Sequence, residues 1–330
     1  MIQRWVVLGS NSFSGAHFVA HLLAHGAEVA GVSRSMEEQA VYLPYRWNAT
    51  PGKFRFLQAD LNRDLDAIVG LVRETRPAYV VNFAAQGMVA QSWEHPVHWF
   101  QTNVVAHVAL HDELRQLPFI KRYVHVGTPE VYGTCTGTVT EDHPLRPSTP
   151  YAVSRAACDM SLRTFVNTYS FPVVTTRSAN VYGPGQRLYR LIPRCILSIR
   201  LGQKIPLHGQ GASVRSFIHI RDVADGTRRA ALHGEVGECF HFATRESLSI
   251  REVVERICRR LGVPFEDAVE VVGERPGKDH AYLLDTGRAR TRLGWSDSVS
   301  LDEGIEDTLS WVDRNLDVLS NEPWEYAHKP

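Results

Sequence analysis

The chain has 330 residues, 44% apolar and 22% charged, enough to bury a sizeable core in one large domain or two closely joined ones. Its 36 basic side chains balance 36 acidic ones, so no global field favours nucleic acid or an anionic membrane as a partner. No apolar run approaches the ~18 residues that span a bilayer, and the first strand pattern starts at Trp5 with no basic leader before it, so neither a membrane span nor a signal peptide is expected.

Strand patterns fall at Trp5–Leu8, Glu28–Val32, Phe54–Leu57, Tyr79–Phe83, Tyr123–Val126 and Val173–Arg177. Helical patterns lie between them: Ala16, Val19, Ala20 and Leu23 share one face, as do Ile68, Leu71 and Val72. Such alternation predicts an α/β fold with a doubly wound parallel sheet covered by helices on both faces. After Arg177 the pattern loosens through "NVYGPGQRLYRLIP" and "LGQKIPLHGQGASVRS". A strand at Glu238–Ala243, a helix at Ile250–Leu261 and a terminal helix at Leu301–Leu316 follow.

"GSNSFSG", Gly9 to Gly15, sits between the first strand and the first helix, where a Rossmann-type dinucleotide site needs its glycines. Gly9 permits the tight turn and Gly15 the close packing of helix on strand, while Ser12 stands where a middle glycine is usual. The loop and helix amides, with Phe13 at the helix start, can then hold a pyrophosphate. An acid at the end of the second strand would bind the ribose hydroxyls of NAD; here "GVSRS" offers Ser33 and Arg34, which favours NADP. Asp60, followed by Leu61, either accepts from the adenine amino group or caps a turn. The expected division is an NAD(P)-binding domain of residues 1–178 with 214–246 and a smaller α/β substrate-binding lobe of 179–213 with 247–330.

Five cysteines (Cys135, Cys158, Cys195, Cys239, Cys258), odd in number and without metal spacing, fit reduced thiols in a cytoplasm. His17, His21 and His25 repeat at i, i+4, i+8, and His107 with His111 repeats the spacing, but nothing nearby in sequence completes a metal tetrahedron. They read as solvated or interface histidines, and no metal is expected. Only five basic residues are Lys (Lys53, Lys121, Lys204, Lys278, Lys329), so this chain uses Arg wherever a simple charge serves.

"GTPEVYG", residues 127–133, places Thr128, Pro129 and Glu130 after the fifth strand, where α/β proteins keep their chemistry. "YAVSRAACD" puts Tyr151 and Arg155 at i, i+4 on one helix face, so that the cation stabilises a phenolate acting as base.

With these segments, "NFAAQGMVAQSWEHP", "QTNV", "ANVYGPGQ", "SVRSFIHIRDVA" and "ERPGKDHAYLLDTGRARTRLGW", the chain resembles the extended short-chain dehydrogenase/reductases, and among them the nucleotide-sugar 4,6-dehydratases of the dTDP-glucose and GDP-mannose type. The resemblance implies a nucleoside diphosphate sugar as substrate, NAD(P) as cofactor and a homodimer built on the helices around His98–Leu114 and Tyr151–Thr168. It assigns Thr128, Glu130, Tyr151 and Arg155 to catalysis, and Ala84 and Ala85, with Tyr151 and Arg155, to the cofactor. Gln86, Asn180, Arg190, Arg215 and Arg275 fall to the substrate.

Two positions depart from the family pattern. Its helical cation is Lys, and here it is Arg155, which keeps the charge but is longer and planar. Its loop carries Asp, Ser or Thr before the Glu, and here Pro129 offers no proton to a leaving hydroxyl. An epimerase of the same superfamily begins with the same oxidation; Glu130 and the dehydratase-like "RPGKD" favour dehydration. Ser12, Pro129 and Arg155 also leave room for a homologue that binds without turnover.

Overall fold

In a computed structural model, which describes residues 2–273 and 283–329, the alternating half of the chain forms one seven-stranded parallel sheet. Its strands are β1 (Arg4–Leu8), β2 (Glu28–Ser33), β3 (Lys53–Gln58), β4 (Tyr79–Asn82), β5 (Arg122–Val126), β6 (Val173–Ser178) and β7 (Cys239–Phe242), in the order 7-6-5-4-1-2-3. Each predicted strand is present to within two residues at either end. Val6, Val7, Val80, Val81 and Val124 are buried on both faces, which is why these strands read as continuous apolar runs rather than alternating ones.

The principal helices are α1 (Phe13–Ala24), α2 (Leu65–Thr75), α3 (His107–Leu114), α4 (Pro150–Tyr169), α5 (Leu191–Arg200), α6 (Ile220–His233), α7 (Ile250–Leu261) and α8 (Leu301–Arg314). Helix α7 has the predicted bounds, fixed by a Ser249–Glu252 capping box and by Gly262 in the left-handed region. Helix α8 stops at Arg314, before the predicted Leu316, and a short turn Leu316–Leu319 follows.

Strand β1 pairs with β2 on one side and with β4 on the other, so the chain reverses direction across the sheet at β1. The carboxyl ends of β1 and β4 therefore flank an open crevice, the place where such sheets bind ligands. A separate apolar core lies beyond it, built from Tyr182, Ile192 and Ile196, Val253 and Ile257, and Ile305 and Trp311.

Candidate active site

At the crevice floor Gly9 has φ +77°, and an added Cβ would stand 2.6 Å from the Ala84 amide on β4's end. A Cβ on Gly15 would collide with the Gly9 carbonyl, so the helix seats on the strand end only because Gly15 has none. Ser12 caps α1, accepting from the Gly15 amide at 3.1 Å and donating to Gly9 O at 2.7 Å. The missing middle glycine is thus a helix cap, and the loop keeps the close backbone approach that a pyrophosphate requires.

Above this loop lies a cavity of about 400 Å³. Gly9, Ser12, Ser33 and Arg34 line one part of it, and Asp60, Leu61, Ala84, Ala85 and Gln86 another. Phe13 and Gly15 stand behind the wall; Phe13 packs edge-on to His17 at 5.1 Å. Asp60 caps its own turn, its Oδ1 accepting from the Asn62 amide at 2.9 Å. Ser33 Oγ accepts from the Asn11 amide at 2.9 Å, which ties the phosphate loop to the end of β2. Glu38 also lines the cavity, but its carboxylate is paired with Arg187.

Thr128 caps a short 3₁₀ turn, Pro129–Tyr132, accepting from the Glu130 amide at 3.3 Å. Pro129 occupies the first helical position, where its fixed φ fits and its missing N–H costs nothing, and it is buried. The loop is therefore shaped by proline where an acid would otherwise stand. The Tyr151 hydroxyl is hydrogen-bonded to Thr128 and feels the charges of Arg155, Glu130 and Arg190. Three segments distant in sequence, the loop at residues 128–130, helix α4 and Arg190, thus meet at one phenol.

Desolvation pushes the Tyr151 pKa above its ordinary value; Arg155 opposes this, Glu130 reinforces it, and Thr128 and Arg190 oppose it. Burial outweighs the cation, so Arg155 reduces but does not cancel the cost of forming the phenolate. Arg155 is 2% exposed and donates to the Val126 carbonyl at the end of β5, with His125 Nε2 at 3.4 Å. Its guanidinium clamps the strand that carries the loop.

On the substrate side, Gln86 is held on both backbone atoms by Asn103, which accepts from its amide at 2.8 Å and donates to its carbonyl at 3.0 Å. Asn103 also donates to Ser154 on α4 at 3.0 Å. It lies in the wide helical turn Gln101–Ala106, within "QTNV", whose role the sequence left unassigned. Arg190 precedes α5 and reaches the Tyr151 group electrostatically. Asn180 opens a short strand, its amide bonded to Ser216 O at 3.1 Å. Arg215 donates to Val214 O at 2.8 Å and lines a second cavity with Phe217, Thr244 and Leu248. Arg275 lies outside the described residues.

Of the five histidines at helical spacing, only His25 is exposed. His17 bonds Pro184 O at 2.7 Å, and His107 and His111 are wholly buried with His125. His111, His125 and Cys158 bring one potential ligand atom each within 4.8 Å of one another, a grouping that sequence spacing hides. Burial pushes the Cys158 thiol up to about 12, and the nearby Arg155 opposes that shift without reversing it. A neutral thiol beside a buried cation makes a poor seat for a further positive charge.

The feature least visible in the sequence is the segment after Ser320. Pro323, Glu325, Tyr326, Ala327 and Lys329 roof the cavity, and the Lys329 carbonyl accepts from both Gln86 Nε2 (2.7 Å) and Arg34 (3.1 Å).

A family model described as GDP-mannose 4,6 dehydratase matches residues 6–308. A dTDP-glucose 4,6-dehydratase of Xanthomonas campestris is 32% identical over 352 aligned residues, covering 98% of this chain and 95% of its own. The crystal structure of a dTDP-glucose 4,6-dehydratase from Streptomyces venezuelae with NAD and TYD bound aligns with a TM-score of 0.87 at 32% identity, covering 96% of this chain and 98% of that one. Another from Bacillus anthracis in complex with NAD gives 0.86 at 27% identity, covering 96% and 99%. With the crevice at β1, the glycines that shape its floor and the Thr128–Tyr151 pair already in place, these likenesses are decisive: the chain belongs to the GDP-mannose 4,6 dehydratase family, within the extended short-chain dehydrogenase/reductases.

Proposed function

We propose that the protein is a nucleotide-sugar 4,6-dehydratase, converting a nucleoside diphosphate hexose to its 4-keto-6-deoxy form. The observation that carries this is the hydrogen bond between Thr128 and the Tyr151 hydroxyl, with Arg155, Glu130 and Arg190 close enough to act on the phenol through their charges. The cavity above Gly9 would hold a nicotinamide dinucleotide, and that group would supply the acceptor and later the donor of the hydride. Thr128 orients the carbon-4 hydroxyl and Tyr151 takes its proton. Arg155 keeps the positive charge of the family's lysine, lowering the cost of the phenolate. Once carbon 4 is a ketone the proton on carbon 5 is acidic, and Glu130 removes it as hydroxide leaves carbon 6. Arg190 neutralises substrate phosphate. Incubation with a panel of nucleotide sugars tests the reading by mass spectrometry: loss of one water supports it, whereas inversion at carbon 4 without that loss makes the protein an epimerase. No product from any sugar that binds makes it a non-catalytic homologue.

The cofactor is NADP in preference to NAD. Support comes from Arg34 on the cavity wall beside Ser33 and Ser35, and from the pairing of the nearby acid Glu38 with Arg187. Denaturing the purified protein and identifying the dinucleotide released should yield NADP; NAD alone overturns the preference.

The assembly is a homodimer. Val97, Phe100 and Val105 present exposed apolar side chains beside Val153 and Met160 of α4, on elements that pack together. On α3 and α4 the small Ala109 and Ala157 are not buried and permit close approach, whereas Ala106 and Ala156 are buried within the chain. Light scattering at micromolar concentration is expected to give twice the chain mass, and a monomer ends this proposal. We assign residues 179–213 and 247–330 to the sugar-nucleotide lobe and the rest to the dinucleotide domain, and place the enzyme in the cytoplasm, in keeping with five free cysteines.

A further inference from the structure

Residues 321–329 carry no helix or strand, yet they follow a pattern. Trp324, Tyr326 and His328 are partly buried while Pro323, Glu325, Ala327 and Lys329 are exposed, the two-residue alternation of an extended segment laid on a surface. Each turned-in residue has an anchor. The Trp324 carbonyl accepts from Arg194 at 3.3 Å, and Glu325 pairs with the same guanidinium at 3.0 Å. Tyr326 packs edge-on to Tyr189 at 5.4 Å. His328 stacks on Trp99 at 4.9 Å and bonds His98 at 2.9 Å.

The segment therefore runs from α5 to the end of β4 across the mouth of the dinucleotide crevice. It roofs the cavity of about 400 Å³ instead of filling it. At its far end Lys329 Nζ donates to Ser35 Oγ at 3.3 Å, while the Lys329 carbonyl accepts from Arg34. Two cations and the hydroxyls of Ser33 and Ser35 thus gather at the end of β2, where the second ribose of a dinucleotide lies in such folds. A phosphate monoester dianion suits that set: it offers several acceptor oxygens to two charged donors and two hydroxyls. Lys329 is one of only five lysines in a chain that otherwise uses Arg.

We propose that residues 321–329 form a strap over the bound dinucleotide, and that Lys329 joins Arg34 as the second cation for a 2′-phosphate on its adenosine ribose. The cation assignment rests on the NADP reading above; the strap does not. A dinucleotide cannot leave while Gln86 and Arg34 are tied to Lys329. In a reaction that returns its hydride to the same substrate, the cofactor need not exchange between turnovers, so slow release does not limit the rate.

The test compares the full chain with a chain ending at Ser320, with Tyr326→Ala and with Lys329→Ala. For each, the dinucleotide retained after desalting, its dissociation rate and the Kd values for NADP+ and NAD+ are measured. Removing the strap is expected to raise the dissociation rate of both dinucleotides about tenfold or more, and Tyr326→Ala shifts it the same way in a chain of full length, which covers a truncated chain that fails to fold. Lys329→Ala is expected to weaken NADP+ about tenfold, the worth of one charged hydrogen bond, and to leave NAD+ unchanged. Unchanged release from the truncated and Tyr326→Ala proteins overturns the strap, and tighter binding without the segment makes it a competitor for the site. Equal effects of Lys329→Ala on both dinucleotides, or none, remove its role as a phosphate ligand. A full chain that prefers NAD+ sinks the NADP reading and the cation assignment with it, while the release rates still judge the strap.

Discussion

Glu130→Gln is expected to oxidise its sugar at carbon 4 and then stall, accumulating reduced cofactor and a keto sugar that still holds its carbon-6 hydroxyl. A well-placed base contributes about 10²–10⁴-fold, so elimination should slow by that order while the first oxidation survives. Tyr151→Phe should instead block both steps, because the phenol's proton transfer comes first. Burial raises the pKa of that phenol and Arg155 works against the shift, lowering the cost of the phenolate. Pro129 separates the two roles further. It is a buried first residue of a 3₁₀ turn, where an acidic side chain is also tolerated because the turn's amides favour negative charge. Pro129→Asp therefore restores an acid beside Glu130 without removing the cap made by Thr128, and faster elimination would identify leaving-group protonation as limiting. Stopped-flow absorbance of the cofactor with mass spectrometry of the product resolves these cases. If Glu130→Gln releases dehydrated sugar at the parent rate, the loop is not the eliminating element and the epimerase reading gains.

The sheet was legible because its strands are short apolar runs punctuated by glycine and polar turns, and the crevice followed from its position after β1. The phosphate loop was legible for a steric reason, since the demand for Gly9 and Gly15 is local. What escaped the sequence depends on contacts between distant segments. Arg155 reads as a cation facing its i−4 neighbour Tyr151, yet it is also bonded to the strand end at Val126, which no helical periodicity announces. His107 and His111 show a helical repeat that suits solvent or metal equally well; only the packing of α3 against β5 buries them beside His125. The strap has a faint signal, aromatic residues at every second position in "PWEYAH", but its destination is set by Arg194, Trp99 and Gln86, far away in the chain.

Asp159→Asn is expected to cost the protein more stability than any single change at the surface. Asp159 lies on α4 one turn beyond Arg155, its side chain 7% exposed, paired with Arg177 at 2.7 Å and with His125 at 3.2 Å. Burial alone would raise its pKa, but Arg177 and His125 outweigh that and hold the carboxyl well below the usual range. Asparagine keeps the shape and removes the charge, leaving the Arg177 guanidinium buried and uncompensated at a cost of about 3–5 kcal/mol. The damage should reach the catalytic loop, because Arg177 also donates to the Tyr132 hydroxyl and lies over its ring at 4.8 Å, two residues from Glu130. Acid should expose the same pair in the parent. The Asp159 carboxylate contributes stability that is present above the unfolded-state value of about 3.9 and is lost as pH falls below it. The buried histidines act earlier. Desolvation pushes the pKa of His107, His111, His125 and His241 down, that of His241 to about 3, so below about 6.5 the unfolded chain takes up protons that the folded one refuses. Stability should thus fall from pH 6.5 downward in both proteins, with a steeper acid limb below pH 4 in the parent, where the Asp159 carboxylate adds to other depressed carboxylates such as Asp307. Urea unfolding of each from pH 8 down to about pH 3 reads both effects. An unchanged midpoint for Asp159→Asn at pH 8 would mean that the buried pair contributes nothing net and that the loop is held in place by packing alone.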